Sequence, residues 1–135
     1  LEPLSGYLNL GLELDRHKVL HGEAFNFGPR AEQNHTVKRL LEDLSRYWNF
    51  DKIEDAFTVT DNIPFHEAGL LKLNCDKALS SLKWQASLAY EETIEFTSQW
   101  YFDFYKTKKN IFDLTIAQID AYENIAKTKK LQWTE

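Results

Sequence analysis

Residues 64–78, "PFHEAGLLKLNCDKA", gather four residue types that chemistry often uses: His66, Glu67, Lys72 and Cys75, the chain's only cysteine. "HEAGL" opens like the HExxH helix of a zinc hydrolase. That motif needs a second histidine one helical turn on, so that both imidazoles face one metal, and position 70 is Leu70. His17 and His21 do stand four apart with Glu23 nearby, the outline of a metal-dependent hydrolase. However, the first helix is predicted to end near Arg16–Lys18, and "HGEA" reads as a turn, so no metal is expected. Tyr105 and Lys109 have the YxxxK spacing with which short-chain dehydrogenases activate a tyrosine. They fall at a lysine-rich helix end, and the five glycines form no phosphate-cradling GxGxxG. Cys75 sits in an apolar run without a histidine partner in sequence and is expected to fill the core.

His66 and Glu67 survive this sorting. They follow Pro64 and precede an apolar run, so they can project from a loop into a cleft. Glu67 can accept hydrogen bonds from two vicinal sugar hydroxyls, and His66 can donate to a phosphate oxygen. The simpler alternative is a solvated strand entrance.

The chain must provide elements that hold such a loop. Its 135 residues, 43% hydrophobic and 14% aromatic, suffice for one packed domain. Leu4, Tyr7, Leu8 and Leu12 share helical spacing behind Pro3, with Leu10 and Leu14 widening the stripe. Gly6 and Gly11 lower helix propensity there and imply close backbone packing. "EAFNFG" reads as a short strand closed by "GP". Asn34 or Thr36 is predicted to cap a helix with Val37, Leu40, Leu41, Leu44 and Trp48 on one face. "AFTVT" and "GLLKLN" are further strand candidates, and "CDKALSSLKW" a short helix. Ser87 is predicted to cap the next helix, packed through Ile94, Thr97, Tyr101 and Phe104. "FTSQWYFDFY" is an aromatic run whose spacing fits core packing better than a stacking surface. The last helix is expected to open at Thr115 and Gln118, a capping-box pair. The expected fold class is therefore α/β, mostly helical, with two or three short strands that need a partner sheet.

Composition excludes several functions. Net charge is −5, against a broad nucleic-acid footprint; the lysines at 106–109 and 127–130 read as solvated helix ends. One cysteine excludes an internal disulfide and fits a reducing, cytoplasmic setting. No apolar run nears the ~20 residues that span a bilayer. The absence of methionine and the helical opening "LEPLSGYL" point to a portion of a longer protein.

"LEPLSGYL", "NFGP", "HEAGLLKLNCDKA", "LKWQ", "TSQWY" and "LTIAQIDAY" occur in an order and spacing that resemble the C-terminal portion of the CDP-glucose 4,6-dehydratases. These are extended Rossmann-type short-chain dehydrogenase/reductases of nucleotide-sugar metabolism. The resemblance runs from Leu1 to about Tyr122. It implies that residues 1–135 are a single C-terminal substrate-binding domain, with the N-terminal NAD-binding domain absent. It implies a lyase that converts CDP-glucose to CDP-4-keto-6-deoxyglucose plus water with tightly bound NAD, as a homodimer. The family's catalytic and cofactor residues would lie in the missing part, so this portion alone is expected to be inactive and to self-associate. The family's nucleotide-contacting loop falls on His66 and Glu67, which the resemblance makes substrate-binding.

The chain departs from the family's "HEAHYLKLDCSKA" at Gly69, Leu70 and Asn74. It has Lys83 where "LGW" has glycine, and Ala86 where proline is common. These departures make a non-catalytic binding or assembly module the alternative reading.

Overall fold

A computed structural model describes residues 1–30, 33, 35–59, 73–107 and 109–134. Five α-helices order them: α1 Glu2–Arg16, α2 Val37–Ser45, α3 Asp76–Leu82, α4 Tyr90–Phe102 and α5 Ile111–Thr128. Single 3₁₀ turns extend α1 and α2, and α4 runs on into a π-helical turn, Asp103–Thr107. Pro3 lies in the first turn of α1, where its missing N–H costs nothing. Thr36 caps α2 by accepting from the Arg39 N–H at 3.2 Å, so of the two predicted caps Thr36 is the one used.

The α/β expectation is overturned: there is no strand among the described residues. "EAFNFG" does alternate as a strand would, with Asn26 exposed and Phe27 buried, but its backbone meets no neighbouring ladder. Asn26 instead donates its side-chain amide to the Asn74 carbonyl at 3.2 Å. Residues 56–59 are irregular, as are 73–74, and the rest of those two candidate strands lies outside the described residues. Alternation reports burial on one side of an extended chain, whereas a strand also needs a partner.

Caps and faces also differ from those the sequence predicts. Ser87 is buried at 1% exposure and does not cap α4; Ala89 precedes that helix, and Glu92 accepts the Ala89 N–H at 2.6 Å. Asn110, not Thr115, caps α5, accepting from the Phe112 N–H at 3.1 Å. Thr115 lies inside the helix, donating to the Ile111 carbonyl and accepting from Trp100 Nε1. On α2, Val37 is exposed and Asp43 is buried in its place. On α4, Ile94 is buried with Ser98, while Tyr101 and Phe104 are exposed.

The core joins Leu20, Phe27, Ala78, Leu82, Trp84 and Ala86, with Leu10 and Leu14 of α1 against it. Phe27 lies edge-on between Tyr7 and Trp84, at centroid distances of 5.4 and 5.0 Å. Burial of Phe27 and Trp84 contributes on the order of 2–3 kcal/mol each, and each edge contact adds about 0.5–1.5 kcal/mol. Gly6 makes this packing possible: a Cβ there would stand 2.3 Å from Phe27 Cδ1.

Candidate functional site

The extended segment after α1 and the residues leading into α3 form two walls of a cleft. Its larger cavity, about 610 Å³, is lined by Gly28, Pro29, Arg30, Asn74, Cys75, Asp76 and Trp84–Ala86 among others. A second cavity of about 410 Å³ shares Gly28, Pro29, Leu73 and Ala86, and its other lining is mostly apolar, including Pro3, Val37, Leu40 and Leu88. The cleft thus offers amide, carboxylate and guanidinium groups on one side and an apolar shelf on the other.

Local chemistry fixes each wall. Asn74 Oδ1 accepts the Asp76 N–H at 2.8 Å, and Asn74 Nδ2 donates to Asp76 Oδ2 at 3.3 Å, which starts α3. The asparagine that departs from the family pattern therefore has a structural use. Lys77 reaches back to Glu23 at 2.5 Å and lies 4.9 Å over the Phe25 ring, binding α3 to the opposite wall. The Lys77 hydrogen bond and charge hold the Glu23 carboxyl below its usual range. Cys75 is half-buried on the cavity wall and not in the core as expected.

The third wall, residues 84–88, is pinned from behind. Trp84 Nε1 donates to Ser5 Oγ at 3.0 Å. Glu2 accepts the backbone N–H groups of Ser87 and Leu88 and the Tyr122 hydroxyl at 2.9 Å. Ser87 Oγ donates to the same hydroxyl at 3.2 Å. Burial raises the Tyr122 pKa to about 12, with the Glu2 charge adding to the rise and the bonds to Ser5 and Ser87 opposing it. Lys129 donates to the Ser87 carbonyl and to Glu92, both at 2.7 Å. Burial would raise Glu92, but Lys129 and the Ala89 N–H outweigh it and leave the carboxyl lowered. From sequence Glu2 signals only a favourable charge at a helix start. Its use as a clamp depends on residues 85 to 120 positions away and has no local signal.

His66 and Glu67 lie outside the described residues; Leu73, the first described residue after them, lines both cavities. The other candidates are not brought together. His17 Nε2 meets Glu13 at 3.3 Å, and His21 Nε2 meets the Leu14 carbonyl at 2.9 Å, so neither joins Glu23. No group of three metal-ligating side chains occurs among the described residues. Lys109 pairs with Asp103 at 2.9 Å, while Tyr105 stacks against Tyr101 and faces Trp48, so YxxxK is a coincidence of spacing. No helix among the described residues is long and apolar enough to cross a membrane.

Comparison with known proteins bears on this cleft. CDP-glucose 4,6-dehydratase of Salmonella typhimurium is 36% identical to the chain over 103 residues. The chain is a homologue of CDP-glucose 4,6-dehydratase. The match takes in 75% of the chain and 27% of the Salmonella protein, so the chain spans about a quarter of its curated relative's length. A partial match of this kind is consistent with the C-terminal portion that the sequence motifs resemble. No protein-family model matches the chain, and no solved structure matches it.

Proposed function

We propose that this chain is the nucleotide-sugar-binding portion of a CDP-glucose 4,6-dehydratase-like enzyme. The observation that carries the reading is the dehydratase homology, together with a cleft lined on one side by the residues that lead into α3, Leu73 to Asp76. In this reading Glu67 accepts hydrogen bonds from the ribose hydroxyls, and His66 donates to the diphosphate. The apolar shelf from Pro3 to Leu88 borders the polar side of the same cleft.

NAD would supply the hydride acceptor and donor of the parent reaction, bound by a companion domain. The five glycines here form no dinucleotide-binding turn, so this chain's own task is to bind and orient the substrate. The outer face of α1 supports a companion. Leu10 and Leu14 face the core, while Leu4, Leu8 and Leu12 are exposed on the other side. A helix with a second apolar stripe facing away from its own core is suited to a partner on that side.

Trp84 lines the cavity, so its fluorescence reports occupancy. CDP-glucose should quench it saturably, and Glu67→Ala or His66→Ala should weaken binding ten- to about a hundredfold, the loss of a charge-assisted hydrogen bond. The chain supplied with NAD should not turn CDP-glucose over; turnover would overturn the division of labour. The substitutions at Gly69, Leu70 and Asn74 favour a second reading, a non-catalytic binding or assembly module. Absence of any quench would favour it.

A further inference from the structure

A second polar cluster, between α2 and the start of α4, adjoins the apolar side of this cleft, with which it shares His35 and Tyr90. Arg39 on α2 and Arg46 at the start of the 3₁₀ turn that extends it stand seven residues apart in sequence, with Asp43 between them. Asp43 is 7% exposed. Its Oδ2 accepts from Arg39 Nε at 2.7 Å and from the Tyr90 hydroxyl at 3.1 Å, and its Oδ1 pairs with Arg46 Nη1 at 3.1 Å. A carboxylate so buried is tolerable only when paired. Here one carboxylate serves two cations.

Each arginine meets Asp43 through one nitrogen, and the two side chains are otherwise 53% and 60% exposed. Together with His35, Tyr90 and Glu91 they line a cavity of about 310 Å³. The His35 ring stacks on Tyr90 at 3.7 Å and 21°.

We propose that this cavity is an oxyanion site that takes a phosphoryl group between the outer edges of Arg39 and Arg46. The guanidinium fork suits a tetrahedral oxyanion, two N–H groups at a time; Asp43 holds Arg39 by a hydrogen bond and Arg46 by charge alone, its Oδ1 accepting no hydrogen bond among the described residues. The tie between α2 and α4 is made by the Tyr90 hydroxyl and uses neither outer edge. Glu91 on the rim repels an anion and weakens the site. This site is independent of the nucleotide-sugar reading.

The test is titration of the whole chain with inorganic phosphate, followed by NMR. Saturable shifts are expected at the Arg39 side-chain N–H and at Tyr90, unchanged by Glu67→Ala or His66→Ala. The double variant Arg39→Gln/Arg46→Gln should weaken them tenfold or more. Because removing both arginines beside a buried carboxylate can unfold the chain, Glu91→Gln provides the second arm: it alters only an exposed rim charge and should tighten phosphate binding. No saturable shift at these residues, shifts that survive in the folded double variant, or unchanged or weaker binding by Glu91→Gln would overturn the site.

Discussion

Lys83 ends α3 in the left-handed region, at φ 56° and ψ 15°, where the resembled family carries glycine. Its ammonium donates to the Ser80 carbonyl at 3.0 Å, a small return for the strained backbone. Lys83→Gly should therefore raise stability by about 1 kcal/mol. Urea denaturation checks this as a higher midpoint at constant slope; an unchanged midpoint would contradict it. Tyr122 provides a second residue-scale prediction. Its folded pKa of about 12 lies above the ordinary value of 10.0, so the neutral hydroxyl is the form the fold prefers. That stability is fully present below pH 10 and is lost as pH rises towards 12. Tyr122→Phe should flatten the dependence over this window, read as thermal midpoint against pH.

At the scale of elements, α1 makes the two-sided case. Gly6→Ala would drive a methyl into the Phe27 ring, which Tyr7 and Trp84 hold in place. Overpacking of this kind costs about 1–3 kcal/mol. A Cβ at Gly11 meets nothing within 4 Å, so Gly11→Ala should stabilise by about 0.5–1 kcal/mol. Circular dichroism melts of the two variants should move in opposite directions, and a shift of the same sign would refute the packing argument. Of the two glycines only Gly6 is closely packed, because helical spacing does not show which turn touches a neighbour. The same division runs through the fold. Helices were legible because their apolar spacing is local, and all five predicted helices are present. The predicted strands are absent among the described residues, because alternation in "EAFNFG" reports one-sided burial and not the partner that a strand needs. Ser87 resembled a cap by type, yet Tyr122 and Glu2, from two other helices, engage it. Of the candidate site, the short helix after Cys75 was legible in sequence, but the wall positions of Asn74 and Cys75 and the Glu2 clamp behind the cleft were not, because each depends on distant contacts.

The whole molecule is marked by the exposed apolar face of α1. Leu8 is 73% exposed, and Leu4 and Leu12 are each about 60%. A chain with such a face should associate through it when no companion covers it. Light scattering should show mass rising with concentration, and Leu8→Lys/Leu12→Lys should restore a monomer; a concentration-independent monomer for the unaltered chain would contradict this. The central claim is that the cleft beside α3 receives a nucleotide sugar. Calorimetric titration of the chain with CDP-glucose tests it most directly. Saturable heat with one ligand per chain is expected, reduced by Glu67→Ala, with CDP competing for the same site. No heat with either CDP-glucose or CDP would contradict it.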